Sequence, residues 1–304
     1  MISLAQRISP IVLFVYNRPW HTRRTVEALK NNASAPLSDL IIYSEGAKSD
    51  HDLPHVLQVR DYIREVIGFR SVQIVERTKN WGCANNIIDG VSTVLNSHGR
   101  AIVVEDDIST SPYFLNYMNA ALDYYQDKKE ILSISGYNHP PSLMKFPAGY
   151  KQDVFYCRRN ATWGWAIWLD RWENVDWEIR DHDLFIKNHE AQKVFNQSGE
   201  DLTDMLAAQL NGKIDSWGIR LTYYHYKHNG FAVWPRYSYT NNIGNDGSGT
   251  HCSSTNRYEN DLSRAIPAPE FPPDIILDKR ILKNYRKVYR RGPLTRLKKL
   301  LRFP

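Results

Sequence analysis

The sequence predicts an α/β protein with a mostly parallel central sheet flanked by helices. Two observations carry this. Over residues 8–110, runs of apolar β-formers alternate with segments of helical periodicity, the pattern of repeated βα units. The 304 residues, 42% of them hydrophobic, can bury a substantial core.

In chain order, "IVLFVYN" reads as a buried strand, followed by a helix through "PWHTRRTVEALKNN" that begins near Pro19. "DLIIYSEG" and "SVQIVERT" read as the second and third strands, each followed by a helix, "HVLQVRDYIREVIG" and "CANNIIDGVSTVLNSHG". "RAIVVEDD" is the fourth strand. From about Pro112 the pattern changes to a helix "PYFLNYMNAALDYYQDK", a strand "ILSISGY" and a Trp-rich, less regular region to about residue 180. A helix-rich stretch over 182–228, "GFAVWPRYSYTNN" and the Gly-rich loop "IGNDGSGTH" follow. The expected organisation is one domain over 1–265, with halves at about 8–110 and 111–255, an extended Pro-rich linker over 266–278 and a tail over 279–304.

Charge is unevenly placed. The net charge is +6, yet 11 of the 39 basic residues and no acid lie from Lys279 onward, so the rest of the chain is mildly acidic. In the tail, Leu294, Leu297, Leu300 and Leu301 fall at helical spacing among basic residues. That suits an interfacial helix on an anionic leaflet, a solvated tail being the alternative. Cys83, Cys157 and Cys252 show no metal-ligand spacing, which fits a reduced, cytoplasmic compartment. No run approaches the length of a transmembrane helix, and the N-terminal apolar run is short and strand-like rather than signal-like. The expectation is a cytoplasmic protein, peripheral on the inner membrane face where the tail engages it.

"AIVVEDDIST" sets the functional question. Three adjacent carboxylates, Glu105, Asp106 and Asp107, end a buried strand, at the edge where ligands of open α/β sheets gather. They need either open water or a cation. Hard oxygen ligands suit Mg²⁺ or Mn²⁺ bridging to phosphates; a solvated turn capping the next helix through Ser109 or Ser111 is the other reading.

Beyond the acids, "FVYNRP", "YSEGAKSD", "KNWGCANNIIDGV", "VVEDDISTSPYFLNYMNAAL" and "WGWAIWLDRW" resemble the GT-A (Rossmann-like) nucleotide-diphospho-sugar transferases. The likeness is to bacterial family 2-like sugar transferases and to the N-acetylglucosaminyltransferase I family (family 13), whose acidic motif is likewise Glu-Asp-Asp, and it covers roughly residues 8–255. It implies a donor half and an acceptor half. Tyr16, Asn17 and Arg18 would line the nucleotide site, Glu45 would lie near the base, and Asn80, Gly82 and Asn85 would border the ribose or sugar. Asp107 would be the direct metal ligand, with Glu105 and Asp106 contacting ribose, sugar or metal-bound water. Glu45 departs from the Asp of N-acetylglucosaminyltransferase I, which leaves the base open.

Gly164 between two indoles lets backbone pass close to a ligand, and Trp163 and Trp165 could form an aromatic wall for donor or acceptor sugar, whereas Trp168 and Trp172 fit a core. In "GKIDSWGIR", the resemblance makes Asp215 the base that takes the acceptor hydroxyl's proton; it could instead cap the following helix. His251, after a loop of the lid type, would complete the metal or diphosphate site or be an ordinary loop histidine.

The expected function is therefore a metal-dependent, inverting glycosyltransferase that moves a hexosyl or N-acetylhexosaminyl unit from a UDP-sugar to a surface polysaccharide, such as lipopolysaccharide or capsule, or to a lipid-linked glycan. No nucleic acid partner is expected. A sugar nucleotidyltransferase would normally need a Gly-rich phosphate loop after the first strand, which "VYNRPWHTR" lacks. A non-catalytic carbohydrate-binding protein would leave the triple acid unexplained.

Overall fold

Alternation in the strands builds one sheet with a core on each face. In strand β1 (Ile11–Val15), Ile11, Leu13 and Val15 point into one apolar cluster, and Val12 and Phe14 into the other. Each fully buried Ile, Leu or Val of this kind stabilises the fold by roughly 1.5–3 kcal/mol. The structure, a computed structural model, describes residues 7–248 and 254–290.

The first half runs β1, α1 (Pro19–Lys30), β2 (Asp39–Ser44), α2 (Leu53–Arg64), β3 (Ser71–Glu76), α3 (Cys83–His98) and β4 (Arg100–Glu105). The second continues with β5 (Ile108–Thr110), α4 (Phe114–Tyr124), β6 (Ile131–Ser135), β7 (Val154–Cys157), β8 (Trp165–Trp168) and α5 (Leu169–Trp172). Then come α6 (His182–Lys187), α7 (His189–Phe195), α8 (Leu202–Leu210), α9 (Trp217–Lys227), β9 (Phe231–Pro235), β10 (Thr240–Asn242) and α10 (Lys279–Val288). The strand order is β3-β2-β1-β4-β8-β6-β9-β7, with β10 and β5 forming a separate antiparallel pair.

β3, β2, β1 and β4 are parallel, as the βα repeats imply; β7 and β8 run against the other six strands. The expected α/β class, with a large sheet flanked by helices, is the one observed. α1 and α4 cover one face through Val26, Leu29, Leu115 and Met118, and α3 and α9 the other through Ile87, Val91, Trp217 and Leu221.

The Trp-rich region is more regular than its sequence suggests. β8 inserts antiparallel between β4 and β6, and its four residues are buried, Trp165 and Ile167 on the α3 face, Ala166 and Trp168 on the α4 face. Beyond the second half, the Pro-rich stretch lies against the body. Lys128 donates to the Pro273 carbonyl at 2.6 Å, and Phe271 packs 5.3 Å from Tyr124. Asp278 caps α10 by accepting from the Arg280 amide at 2.8 Å, and Ile281 and Tyr285 are buried, Tyr285 edge-on to Trp234. The leucine pattern over 294–301 lies outside the described residues, and among the described ones no helix is long and apolar enough to cross a membrane.

Candidate active site

The parallel strands deliver their carboxyl ends to one edge. β4 ends at Glu105, and the chain turns at once into β5, so Asp106 and Asp107 stand beside the loop after β1. That loop is fixed by Pro19 at the first turn of α1, where proline's missing N–H costs nothing. Arg18, at the N-cap position, makes no side-chain cap hydrogen bond, and its side chain reaches the acids. Its Nη2 donates to Asp107 Oδ2 at 3.0 Å and also to Asp106 Oδ1. The Tyr16 amide donates to Asp106 Oδ2 at 3.3 Å, and the Thr25 hydroxyl to the Asp106 carbonyl at 2.8 Å.

One guanidinium faces three acids. Burial and the neighbouring Asp107 and Asp106 push Glu105 up to about 8, against the pull of Arg18. Burial also raises Asp106 despite its bond to Arg18. Burial opposes the charge of Arg18, but Asp106 and Asp107 outweigh it and raise its pKa.

The β5–β10 pairing brings the following loop over this cluster. Asn242 lies opposite Ile108, and the Ile243 amide donates to the Asp107 carbonyl at 2.8 Å. A Cβ on Gly244 would come within 2.4 Å of Asp107 Oδ2 and 2.8 Å of Arg18 Nη1, so a side chain there must displace the Asp107 carboxylate and the Arg18 guanidinium. Farther along, Asp246 Oδ2 lies 3.1 Å from His21 Nε2. Nothing in the sequence pairs these residues; the Gly-rich loop was the available signal. His251 lies outside the described residues.

Glu45 follows β2 and is 5% exposed. Its Oε1 accepts from the Gly46 and Trp81 amides at 2.9 and 3.0 Å, its Oε2 has no partner, and burial raises its pKa against those amides. Asn80 donates to the Gly46 carbonyl at 2.8 Å, joining the ends of β2 and β3. Tyr16 connects this group to the acids, its hydroxyl accepting from the Lys48 amide at 3.1 Å, and Asn17 donates to Asp52 at 2.9 Å. Asn85, in the first turn of α3, is exposed and donates to the Trp81 carbonyl at 3.2 Å.

Asp215 approaches from the second half. It does not cap α9, whose N-cap is Ser216, accepting from the Ile219 amide at 3.4 Å. Its Oδ2 instead accepts from the Ala84 amide at 3.2 Å, at the N-terminus of α3, where the N-cap residue Gly82 supplies no side chain. Gly82 holds φ at +81°, a left-handed conformation natural to glycine, and a Cβ there would meet Asp215 Oδ2 at 3.3 Å. Cys83 opens α3 as a surface-exposed residue, yet desolvation first, and then the charges of Glu105, Asp215, Asp106 and Asp107, raise the pKa of its thiol. The structure thus brings Arg18, Glu105, Asp106, Asp107, Gly82 and Asp215 to one region.

The two Trp-Gly indoles separate. Trp165 is 1% exposed, 4.8 Å from Trp217 and 5.7 Å from Trp172, so it belongs to the core and presents no face to a ligand. Gly164 is buried for the same reason, a Cβ there meeting Thr240 Cγ2 at 2.8 Å. Trp163 alone of the pair lines a cavity of about 490 Å³, together with Tyr137 and Tyr258, which sequence reasoning did not single out.

Metal fit depends on these same acids. Among the described residues no group of three or more His, Cys, Asp or Glu is arranged to hold a metal. A Mg²⁺-type site, however, commonly takes one or two carboxylates and completes its shell with substrate phosphates and water. The hard oxygens and the surplus negative charge around Arg18 fit such an ion.

No protein-family model matches the chain, and no curated protein matches it. Among solved structures it is similar to the mannosyltransferase PcManGT of Pyrobaculum calidifontis in complex with GDP-Man and Mn²⁺, at 11% identity and a TM-score of 0.37, covering 56% of this chain and 47% of that one. It is also similar to S. aureus TarS, at 12% identity and a TM-score of 0.41, covering 76% and 36%. The chain thus spans less than half the length of either. Likeness of this degree carries no weight on function, which has to be read from the site itself.

Proposed function

We propose that this protein is a glycosyltransferase that moves a sugar from a nucleotide-diphosphate donor, with UDP as the nucleotide, to a glycan or lipid-linked acceptor of a surface polysaccharide. The observation that carries this is the convergence of the β4 acids and Arg18 with Asp215 around the N-terminus of α3. Tyr16, Asn17, Glu45 and Asn80 would hold the nucleoside, Glu45 Oε2 being a buried acceptor without a donor. Gly82 and Asn85 would border ribose or sugar.

In the inverting reaction, Asp215 takes the proton of the acceptor hydroxyl as its oxygen bonds to the anomeric carbon; the bond from that carbon to the diphosphate oxygen breaks and the nucleoside diphosphate leaves. Arg18, bonded to Asp106 and Asp107, would hold those acids in place beside that leaving group. Mn²⁺ or Mg²⁺, when bound, would be held by Asp107 with Asp106 and Glu105 nearby, and supplies charge neutralisation of the diphosphate. Trp163 supports a wall for the acceptor. Exposed Lys283, Arg286, Lys287 and Arg290 of the C-terminal region border a groove of about 400 Å³, which supports placement against an anionic inner leaflet.

The test is release of nucleoside diphosphate from UDP-, GDP- and dTDP-sugars in the presence of Mn²⁺, without acceptor. Slow hydrolysis of UDP-sugars that stops in Asp107→Ala is expected; no turnover of any donor, with or without glycan mixtures, contradicts the reading.

A further inference from the structure

The cavity beside Trp163 has a floor and a far wall that lie outside the donor site. Ser216 and Gly218 border it at one end, next to Asp215, and Asn245 does so next to Gly244. Tyr289, directly after α10, with His139 and Arg159, borders it too. We infer that this cavity is a saccharide subsite that takes an uncharged sugar unit of the acceptor and is bordered on one side by Tyr289, at the end of the C-terminal helix. This rests on the glycosyltransferase reading for the role of the bound sugar, though not for its binding.

Three features point to a neutral sugar. The walls are aromatic, with Trp163 edge-on to Tyr137 at 4.5 Å and to Tyr258 at 5.9 Å, and such rings suit the C–H faces of a pyranose. The volume, about 490 Å³, falls within the roughly 300–1,000 Å³ of small-molecule sites. Asn160, 6% exposed, accepts from the Thr222 hydroxyl through Oδ1 while its Nδ2 has no partner. A buried amide donor left unpaired is costly, and a sugar hydroxyl or N-acetyl oxygen would satisfy it.

The charges in the lining are already committed. Arg159 gives both terminal nitrogens to Asp201, at 2.8 and 3.0 Å, and lies 3.8 Å over the Tyr289 ring. His139 is paired with the Tyr289 hydroxyl at 2.9 Å, and burial, with Arg159 and Arg257, pushes it down to about 3, so it stays neutral. A uronic acid carboxylate would find the Arg159 guanidinium occupied. Hydroxyl and amide groups on a neutral sugar would find Asn160, Thr162, Asn245 and Thr255.

The probes are methyl glycosides of a neutral hexose, an N-acetylhexosamine and a hexuronic acid, observed by saturation-transfer NMR on the full chain. The neutral glycosides should receive saturation and the uronic acid should not. In Asn160→Asp, which keeps the acceptor for Thr222 and removes the amide donor, and in Tyr289→Ala, the signal should fall about fivefold or more. UDP binding, measured on the same samples, reports both folding and the donor site. Unchanged signals in both variants, preference for the uronic acid, or no saturation of any glycoside overturns the subsite. Glycoside binding without any nucleotide binding instead sinks the donor reading and leaves the subsite standing.

Discussion

Asp215 Oδ2 accepts a hydrogen bond from the Ala84 amide at 3.2 Å, so an acid of the second half caps a helix of the first. One carboxylate would serve two ends, and they can be separated. Asp215→Asn keeps an oxygen for the cap, so its unfolding midpoint should stay close to wild type while sugar transfer falls by about 10²–10⁴-fold. Asp215→Ala should lose the same activity and, in addition, about 0.5–2 kcal/mol of stability. Turnover and urea denaturation of both variants check this.

Arg18 balances Asp106 and Asp107, and its removal leaves the acid cluster without its cation. Arg18→Ala should therefore unfold more readily in a chelator, by about 1–3 kcal/mol. Mn²⁺ should restore part of the loss and stabilise this variant more than wild type. Calorimetry in EDTA and in Mn²⁺ makes the comparison. Equal Mn²⁺ effects in both proteins would contradict the charge argument.

Gly244 has no room for a methyl group against Asp107 and Arg18. In Gly244→Ala the added methyl must push aside the Asp107 carboxylate and the Arg18 guanidinium, and since these are partly exposed side-chain ends the global cost should be small. Nucleotide affinity, measured by isothermal titration, should weaken about tenfold or more, roughly 1.4 kcal/mol, without a matching fall in melting temperature.

Two buried histidines set an acid limit. Burial, with the charges around them, pushes His139 and His225 each down to about 3. In the unfolded chain histidine titrates near about 6.5. Between those values the unfolded state binds protons that the folded state does not, so stability falls as pH drops through the window. The limit is about a factor of ten in the folding equilibrium per pH unit for each histidine. Glu105, raised to about 8, works the other way from there down to its ordinary value, because the folded state holds its proton more tightly. The difference between wild type and His225→Asn isolates the histidine: the variant's stability should fall less steeply from about pH 6.5 to pH 4.5 in urea titrations.

The first half of the fold was legible because the apolar residues of β1, β2 and β3 each lead into a helix marked by period and punctuation, as at Pro19 and Gly82, and β4 repeats the same apolar run before turning into β5. β7 and β8 were not, being four residues each and set among tryptophans and glycines that suit several conformations. The acids could be placed at the carboxyl edge of the sheet because the apolar run of β4 stops at Glu105. The partner of Asp215 could not, since a contact 131 residues apart leaves no local mark, and Ser216 competes with it for the visible capping role. Trp163 and Trp165 look equivalent in sequence; β8 begins only at Trp165, and its insertion between β4 and β6 sends that indole into the core, while Gly164 at φ +72° turns the chain between the two. Arg159 and Asn160 are neighbours in the sequence, but Tyr289 joins them only through folding.

The most direct measurement of the central claim is a thermal-shift titration with UDP, GDP, CMP and dTDP, each with and without Mn²⁺, on wild type and Asp107→Ala. A ligand bound only by the folded state adds about 2.7 kcal/mol at a hundredfold excess over Kd. The site described here predicts a shift with UDP that depends on Mn²⁺ and disappears in Asp107→Ala while the variant remains folded. If no nucleotide moves the transition under either condition, the acids of β4 are a structural cluster around Arg18 and the donor site does not exist.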